Sequence, residues 1–219
     1  MRQVELERFD GGTDIFDCYQ PGEFYHLKEL NVNDYITKKR KDKETKQFYE
    51  QSYYTFFIAW DIEAHTVEPE EFKKYNEIYQ KTKKPIPKDV KRPWSYMYHW
   101  QIKIHDQIYY GHYWNELFEF FETVSKVLRL HKNKRLICFI HNLSYESWFI
   151  LREIFTRYQK VDLFAIQPKK PLKIFIEDLG IEFRCSYRLS NMSLEKAVLN
   201  EKGTIHPKAS GDLDYRSEE

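Results

Sequence analysis

The sequence predicts a mixed α/β fold in which helices flank the faces of a single sheet. Short runs of β-branched and aromatic residues, such as 53–60 and 135–140, have the composition and length of buried strands. Residues 115–130 and 145–158 instead repeat their apolar side chains at helical spacing. Because strand-like and helix-like segments alternate along the chain, we expect one mixed sheet with helices packed against it.

The overall composition excludes several classes of protein. The 219 residues carry 35 Lys and Arg against 34 Asp and Glu, so nucleic-acid binding would have to come from a local patch. The 7 glycines argue against a fold built on glycine-rich phosphate loops. Cys18, Cys138 and Cys185 lack paired spacing, which predicts neither a disulfide framework nor a thiolate zinc site and fits a reducing cytoplasm. We expect no membrane span and no signal peptide.

The N-terminal quarter of the chain is mixed in character. We interpret residues 1–52 as an accessory segment that precedes the main domain at 53–219. Its most distinctive feature is the polar run 37–47, which is dense in Lys and Arg. This run is typical of a solvated loop, and contact with phosphate groups is the alternative interpretation.

The middle of the chain begins with a strand at 53–60, which we expect to be buried on both faces. Residues 66–94 contain several prolines and predict an inserted loop, with a short helix at 69–83. Alternating apolar residues over 95–105, followed by 107–111, predict a hairpin.

The second half of the chain predicts a strand at 135–140 that leads into the helix at 145–158. The remaining predicted elements are strands at 161–166, 172–177 and 181–185, a turn at 178–180 and a helix at 192–199.

Two carboxylates follow the first predicted strand and are the first candidates for chemistry. In an extended chain, alternation places Asp61 and Glu63 on the same side, with Ile62 opposite. Two like charges repel, so such a pair calls for a cation or a raised pKa. Oxygen ligands of this kind are those that Mg²⁺ and Mn²⁺ prefer. A solvated strand end is the alternative interpretation.

A third carboxylate, Glu146, lies in the first turn of the predicted helix at 145–158. It favours the positive end of the helix dipole, and Ser144 is a candidate N-cap, so both residues have a structural interpretation. The functional interpretation places Glu146 beside Asp61 and Glu63, because sites in open α/β sheets lie at the ends of adjacent strands.

Together these residues resemble the 3′–5′ exonuclease domain of the protein-primed family B DNA polymerases of phages and linear plasmids. Residues 61–63 resemble the first exonuclease motif, Asp-x-Glu, and residues 142–146 resemble the second. Further similar segments are 96–102, 110–112, 183–194 and 211–215, so that the resemblance spans about residues 53–219.

The chain departs from this family pattern at three points. The second motif has Glu146 where the family usually has Asp, and Cys185 stands where an acid is expected. The third motif, Tyr-x-x-x-Asp, is absent: Tyr215 and Glu219 have its spacing, which we interpret as coincidence. We therefore expect the sequence to end before the third motif and to lack the polymerase region.

The resemblance implies a ribonuclease H-like fold of the DEDD exonuclease type and a proofreading activity on the 3′ end of single-stranded DNA. It implies two Mg²⁺ or Mn²⁺ ions held by Asp61, Glu63 and Glu146. It assigns DNA contacts to five residues, His141, Asn142, Tyr145, Ser186 and Tyr187. A separate polymerase region or a terminal protein would be the partner, in the cytoplasm of a bacterial host.

Three functional hypotheses stay open at the level of sequence. The first is an active metal-dependent exonuclease, as part of a polymerase or as a free-standing relative. The second is an inactive descendant that binds single-stranded DNA or another protein, which the missing third motif favours. The third is an unrelated α/β domain whose motifs match by chance.

Overall fold

The computed structural model describes residues 2–8, 10–193, 196 and 200. In chain order the strands are β1 (Arg2–Glu7), β2 (Thr13–Tyr19), β3 (Tyr35–Lys41), β4 (Phe48–Val67), β5 (Trp94–Ile104), β6 (Gln107–Gly111), β7 (Lys134–Ile140), β8 (Val161–Gln167), β9 (Lys170–Ile176) and β10 (Ile181–Cys185). The helices are α1 (Glu70–Thr82), α2 (Trp114–Leu128), α3 (Leu143–Arg157) and the short α4 (Ser186–Ser190), and a 3₁₀ helix spans Phe24–Glu29.

The strands of the described residues form one ten-stranded sheet in the order β1-β2-β6-β5-β4-β7-β10-β9-β8, with β3 paired to β4. Strands β4, β5 and β6 form an antiparallel meander, while β7 runs parallel to β4 and β10 runs parallel to β7. This order and these directions are the ribonuclease H-like arrangement that the motifs imply. The predicted fold class, a mixed sheet flanked by helices, is confirmed.

Most of the predicted elements lie where the periodicity places them. The hairpin is β5 and β6, the inserted segment contains α1, and the two longer helices are α2 and α3. Helix α2 begins where the Glu116 carboxylate accepts hydrogen bonds from the N–H groups of His112 and Tyr113, at 2.8 and 2.9 Å, which stabilises its first turn. The segments 192–199 and 211–215 lie largely or wholly outside the described residues.

Strand β4 corrects one expectation, because it is buried on only one of its faces. Ile58, Trp60 and Ile62 are buried, whereas Phe57 before them and Ala59 between them are exposed. Trp60 packs edge-on against Phe121 of α2, with ring centroids 6.2 Å apart. A run of apolar residues identifies a strand but does not determine whether both faces receive a packing layer, and the described residues cover only one of them here.

The strands of residues 2–41 belong to the same sheet as the rest. Strand β2 pairs in parallel with β6, and β3 pairs with the first part of β4. The boundary placed between residues 52 and 53 falls inside β4, which begins at Phe48. The division into an accessory segment and a main domain stays a prediction.

The core lies between the sheet and helices α2 and α3. Five apolar residues of α2, Leu117, Phe118, Phe120, Phe121 and Val124, are almost fully buried. Burial of each such side chain contributes roughly 1.5–3 kcal/mol. Within the described residues, no helix combines the length and apolar character needed to cross a membrane.

Candidate metal and nucleic-acid site

The carboxylate pair lies within strand β4 rather than after it, because β4 continues to Val67. Asp61 and Glu63 stand on the face of β4 opposite the buried Ile62, as alternation predicts. Asp61 pairs with Gln101 of β5, and Glu63 pairs with His99.

A β-bulge interrupts the ladder beside Glu63. Glu63 pairs with His99, whereas the next residue of β4, Ala64, pairs with Met97, so that β5 has one extra residue, Tyr98, at this point. Bulges bend a strand and change the direction of its side chains, and they are common beside functional sites. The bulge is a feature that the alternating sequence of β5 did not indicate.

The turn between β7 and α3 positions the third carboxylate. Asn142 adopts the left-handed conformation, with φ 62° and ψ 53°, and helix α3 begins immediately after it at Leu143. Asparagine tolerates this conformation better than most residues. The expectation that Ser144 is the N-cap is wrong, because the tight turn starts the helix before Ser144. Glu146 consequently points inward from the first turn, with only 4% of its surface exposed.

The electrostatics of Glu146 are unusual for a carboxylate. Its Oε2 atom is buried and has no hydrogen-bond partner among the described residues. Burial, reinforced by the negative charge of Asp61, raises the pKa of Glu146 to about 8. The side chain is therefore largely protonated at neutral pH.

The same neighbourhood shifts two other groups. Burial and the charge of Asp61 raise the pKa of Glu63. Burial also raises the pKa of the Tyr145 phenol, and the charges of Glu146, Glu63 and Asp61 add to this effect in that order. The structure thus places Tyr145 and the three predicted carboxylates in one zone of negative potential.

This zone has the donor chemistry of a hard-cation site without being preassembled. Within the described parts of the chain, no group of three or more carboxylate, histidine or cysteine side chains stands in ligating geometry. Even so, the unpartnered Oε2 of Glu146 and the mutual repulsion of the acids are features that a bound Mg²⁺ or Mn²⁺ would offset. The residues fit the ion by chemistry, and the side chains would have to draw together around it.

The other predicted DNA contacts meet at the ends of the parallel strands β7 and β10. The His141 Nδ1 and Ser186 Oγ atoms are 3.2 Å apart, and the His141 and Tyr187 rings meet edge to face at 5.7 Å. Ser186 also donates a hydrogen bond of 3.4 Å to the carbonyl of Ile140. Cys185, which stands where the family pattern has an acid, is buried in β10.

An aromatic surface beside the carboxylates was not predicted in full. A shallow cavity of about 420 Å³ is lined by Ser95, Tyr145, Trp148 and Phe149. Tyr145 contacts Phe149 at a centroid distance of 5.3 Å, and Trp148 is 62% exposed. The i, i+3, i+4 spacing of the three aromatic residues on α3 is the signal that could have identified this surface.

The fold and the carboxylates define a ribonuclease H-like domain with a candidate divalent-cation site. No protein-family model matches the chain. No curated protein matches its sequence either.

Two solved structures of phi29 DNA polymerase have a similar fold. One is the polymerase complexed with primer-template DNA, a post-translocation binary complex, with 13% identity over 73% of this chain and a TM-score of 0.48. The other is the ternary complex with primer-template DNA and incoming nucleotide substrates, with 12% identity over 73% of this chain and a TM-score of 0.49. In both cases the match covers 25% of the polymerase chain. The likeness concerns the fold alone.

Proposed function

We propose that this chain is the N-terminal, exonuclease-like part of a protein-primed DNA polymerase and that it hydrolyses single-stranded DNA from the 3′ end with Mg²⁺ or Mn²⁺. The observation that carries the proposal is Glu146, a buried carboxylate with an unpartnered oxygen in the same electrostatic zone as Asp61 and Glu63. A buried carboxyl oxygen without a hydrogen-bond partner costs free energy, and a bound cation would offset that cost.

Each acid has a defined task in this proposal. Asp61 would bridge the ions, Glu63 would bind an ion or orient the attacking water, and Glu146 would release its proton on joining the site. When bound, two divalent ions supply an activated water and stabilise the leaving 3′ oxygen. Because the resting pKa of Glu146 is about 8, we expect occupancy of the site to increase with pH through the neutral range.

Tyr145 and the residues near His141 would handle the DNA. The Tyr145 ring is 46% exposed and can stack on an unpaired terminal base. Such stacking contributes about 1–3 kcal/mol per base and tolerates any sequence. Its phenol is protonated at neutral pH, and the raised pKa keeps it so in more alkaline solution, so it can donate a hydrogen bond to a phosphate or a water. Asn142, Ser186 and Tyr187 would contact the sugar-phosphate backbone.

A specific observation also supports a second function, an inactive module that binds single-stranded DNA or another protein. The described residues contain no preassembled group of three ligands, and Glu146 holds a proton at neutral pH. A site in this state would still offer its aromatic surface for binding but would not hydrolyse DNA.

A nuclease assay distinguishes the two functions. Single-stranded DNA labelled at its 5′ end should shorten from the 3′ end in the presence of Mg²⁺ or Mn²⁺. The double variant Asp61→Asn, Glu63→Gln should be inactive, because both ligands become neutral. The matched control Glu153→Gln, Asp162→Asn also removes two carboxylates, from ion pairs with Arg157 and Lys173, and should be fully active.

The outcome that contradicts the enzyme proposal is equal degradation by the wild type and the Asp61→Asn, Glu63→Gln variant, which indicates a contaminating nuclease. Binding of single-stranded DNA without turnover, with either ion, selects the inactive module.

A further inference from the structure

Strands β3 and β4 form a hairpin that extends beyond the rest of the sheet, and we name residues 35–54 the basic arm. Its seven ladder pairs run from Tyr35 with Tyr54 to Lys41 with Phe48. Strand β4 first pairs with β7 at Ser52, so that residues 48–51 have β3 as their only partner among the described strands. Every residue of β3 is exposed. Strand β3 is therefore open to solvent along its whole length, whereas the β4 side of the arm is partly covered, with Gln51 and Tyr54 buried.

The arm concentrates positive charge in a chain that is almost neutral. It contains six basic residues, Lys38, Lys39, Arg40, Lys41, Lys43 and Lys46, and three acids, Asp42, Glu44 and Glu50. Its net charge is +3 where the whole chain carries +1, so that the remaining residues sum to −2. The arm is thus the local patch that nucleic-acid binding would require.

The charges at the tip of the arm have different roles. The Asp42 carboxylate accepts hydrogen bonds from the N–H groups of Glu44 and Thr45, at 2.9 and 2.7 Å, and from the Thr45 hydroxyl at 3.0 Å. This acid therefore builds the turn. In contrast, none of the arm's six basic side chains forms an ion pair with a described residue.

The two faces of the arm differ in charge. Residues opposite each other in an antiparallel ladder share a face, so Lys38 with Gln51 and Arg40 with Tyr49 lie on one side. Within the ladder that face carries two cations and no acid, with Asp42 and Glu44 of the turn beside Arg40, whereas the opposite face pairs Lys39 with Glu50. Lysine, arginine and tyrosine side chains are donors that commonly contact DNA phosphates.

Protection of an edge strand does not account for this pattern. Charged residues do keep an exposed edge strand from pairing with other chains. A single charged residue of either sign is enough for that effect, so it does not require a run of four cations. Here Lys38, Lys39, Arg40 and Lys41 are consecutive and repel one another. A polyanion would relieve this repulsion.

We propose that the basic arm docks in the major groove of double-stranded DNA, with Lys38 and Arg40 of one face and Lys41 of the other contacting phosphates. Two strands stand about 4.8 Å apart, and with their side chains they match a groove about 12 Å wide. The major groove of an A-form RNA duplex is too narrow for side chains to read, so DNA is the favoured duplex.

The arm is separate from the carboxylate site. Tyr49 and Asp61 lie twelve residues apart on β4, which corresponds to about 40 Å in an extended strand. Docking of the arm therefore does not rest on the proposed hydrolysis.

Fluorescence anisotropy with a blunt duplex of about 20 base pairs tests the proposal in EDTA over about 50–200 mM salt. The arm variant is Lys38→Gln, Arg40→Gln, Lys41→Gln. The control, Lys74→Gln, Lys81→Gln, Lys84→Gln, removes the same charge from exposed positions on and after α1. The arm variant should bind roughly tenfold more weakly or worse, and its slope of log K against log salt should be shallower by about 2.7, since each lost phosphate contact accounts for about 0.9.

The control variant should bind as the wild type does, and Lys38→Arg, Arg40→Lys, Lys41→Arg should restore binding. An unchanged melting temperature in each variant shows that the fold is kept. The proposal is overturned by equal losses in the arm and control variants, or by a wild type that does not bind the duplex at the lowest salt. It is also overturned if the wild-type protein binds oligo-dT, duplex RNA or polyglutamate as tightly as it binds duplex DNA. Equally tight binding of polyglutamate would indicate an acidic protein partner. The blunt duplex and EDTA keep these outcomes independent of any nuclease activity.

Discussion

Replacing Glu146 with glutamine should remove a large part of the pH dependence of stability. In the folded protein the pKa of Glu146 is about 8, whereas its ordinary value is 4.5, so the folded state binds the proton more tightly than the unfolded chain. The free energy of unfolding therefore falls as the pH rises between these two values and is level above them. At about 1.36 kcal/mol per pH unit, the interval corresponds to an upper limit of about 5 kcal/mol. Relaxation and water entry around the carboxylate reduce this to about 2–4 kcal/mol.

Urea unfolding followed by tryptophan fluorescence in EDTA measures the effect. The wild type should lose about 2–4 kcal/mol relative to Glu146→Gln between about pH 5 and about pH 9. Any constant cost of the buried amide cancels in this double difference. The control Glu153→Gln lies on the same helix in an exposed ion pair with Arg157 and should keep the wild-type slope. An identical fall in the wild type and Glu146→Gln would refute the reasoning, because it would mean that Glu146 is ionised at neutral pH.

Two further predictions concern the sheet. Burial alone would raise the pKa of Glu182, but the charges and hydrogen bonds of Arg184 and Arg135 lower it. Glu182→Ala should therefore cost about 3–5 kcal/mol at neutral pH in urea unfolding. It should also remove the loss of stability that the wild type shows when the pH falls below the ordinary pKa of a glutamate. An unchanged urea midpoint would contradict this prediction. Gly180→Ala should lower the melting temperature and cost at least about 1–2 kcal/mol, because φ is +65° and the new Cβ would stand 2.6 Å from the His131 nitrogen. If calorimetry shows that Gly180→Ala is as stable as the wild type, the prediction is wrong and the turn can shift to accommodate the new Cβ.

The elements that the sequence predicted well are those encoded by neighbouring residues. The hairpin of β5 and β6 and the helices α2 and α3 follow from alternation and helical spacing, which each segment carries by itself. The same local rule placed Asp61 and Glu63 on one side of a strand. The interpretation of the basic run 37–47 as a solvated loop is wrong for its first part, because Tyr35–Lys41 forms β3 and pairs with β4.

Features that depend on distant residues were not accessible in this way. Glu182 is held by Arg135, which lies 47 positions earlier in the chain, and no local pattern relates the two residues. The bulge at Tyr98 depends on the register between β4 and β5. The start of α3 at Leu143 depends on the left-handed turn at Asn142, which overrode the capping preference of Ser144.

The sequence by itself determined the strands and helices of residues 53–185, the fold class and the acids that are candidates for chemistry, because each of these depends largely on residue type and local spacing. The tertiary structure decided which face of β4 is buried, that β3 stands out as a basic arm, and that Glu146 is buried beside Asp61 with an unpartnered oxygen. Burial and charge proximity are properties of the packed chain, since they arise only when segments far apart in sequence exclude water from one another.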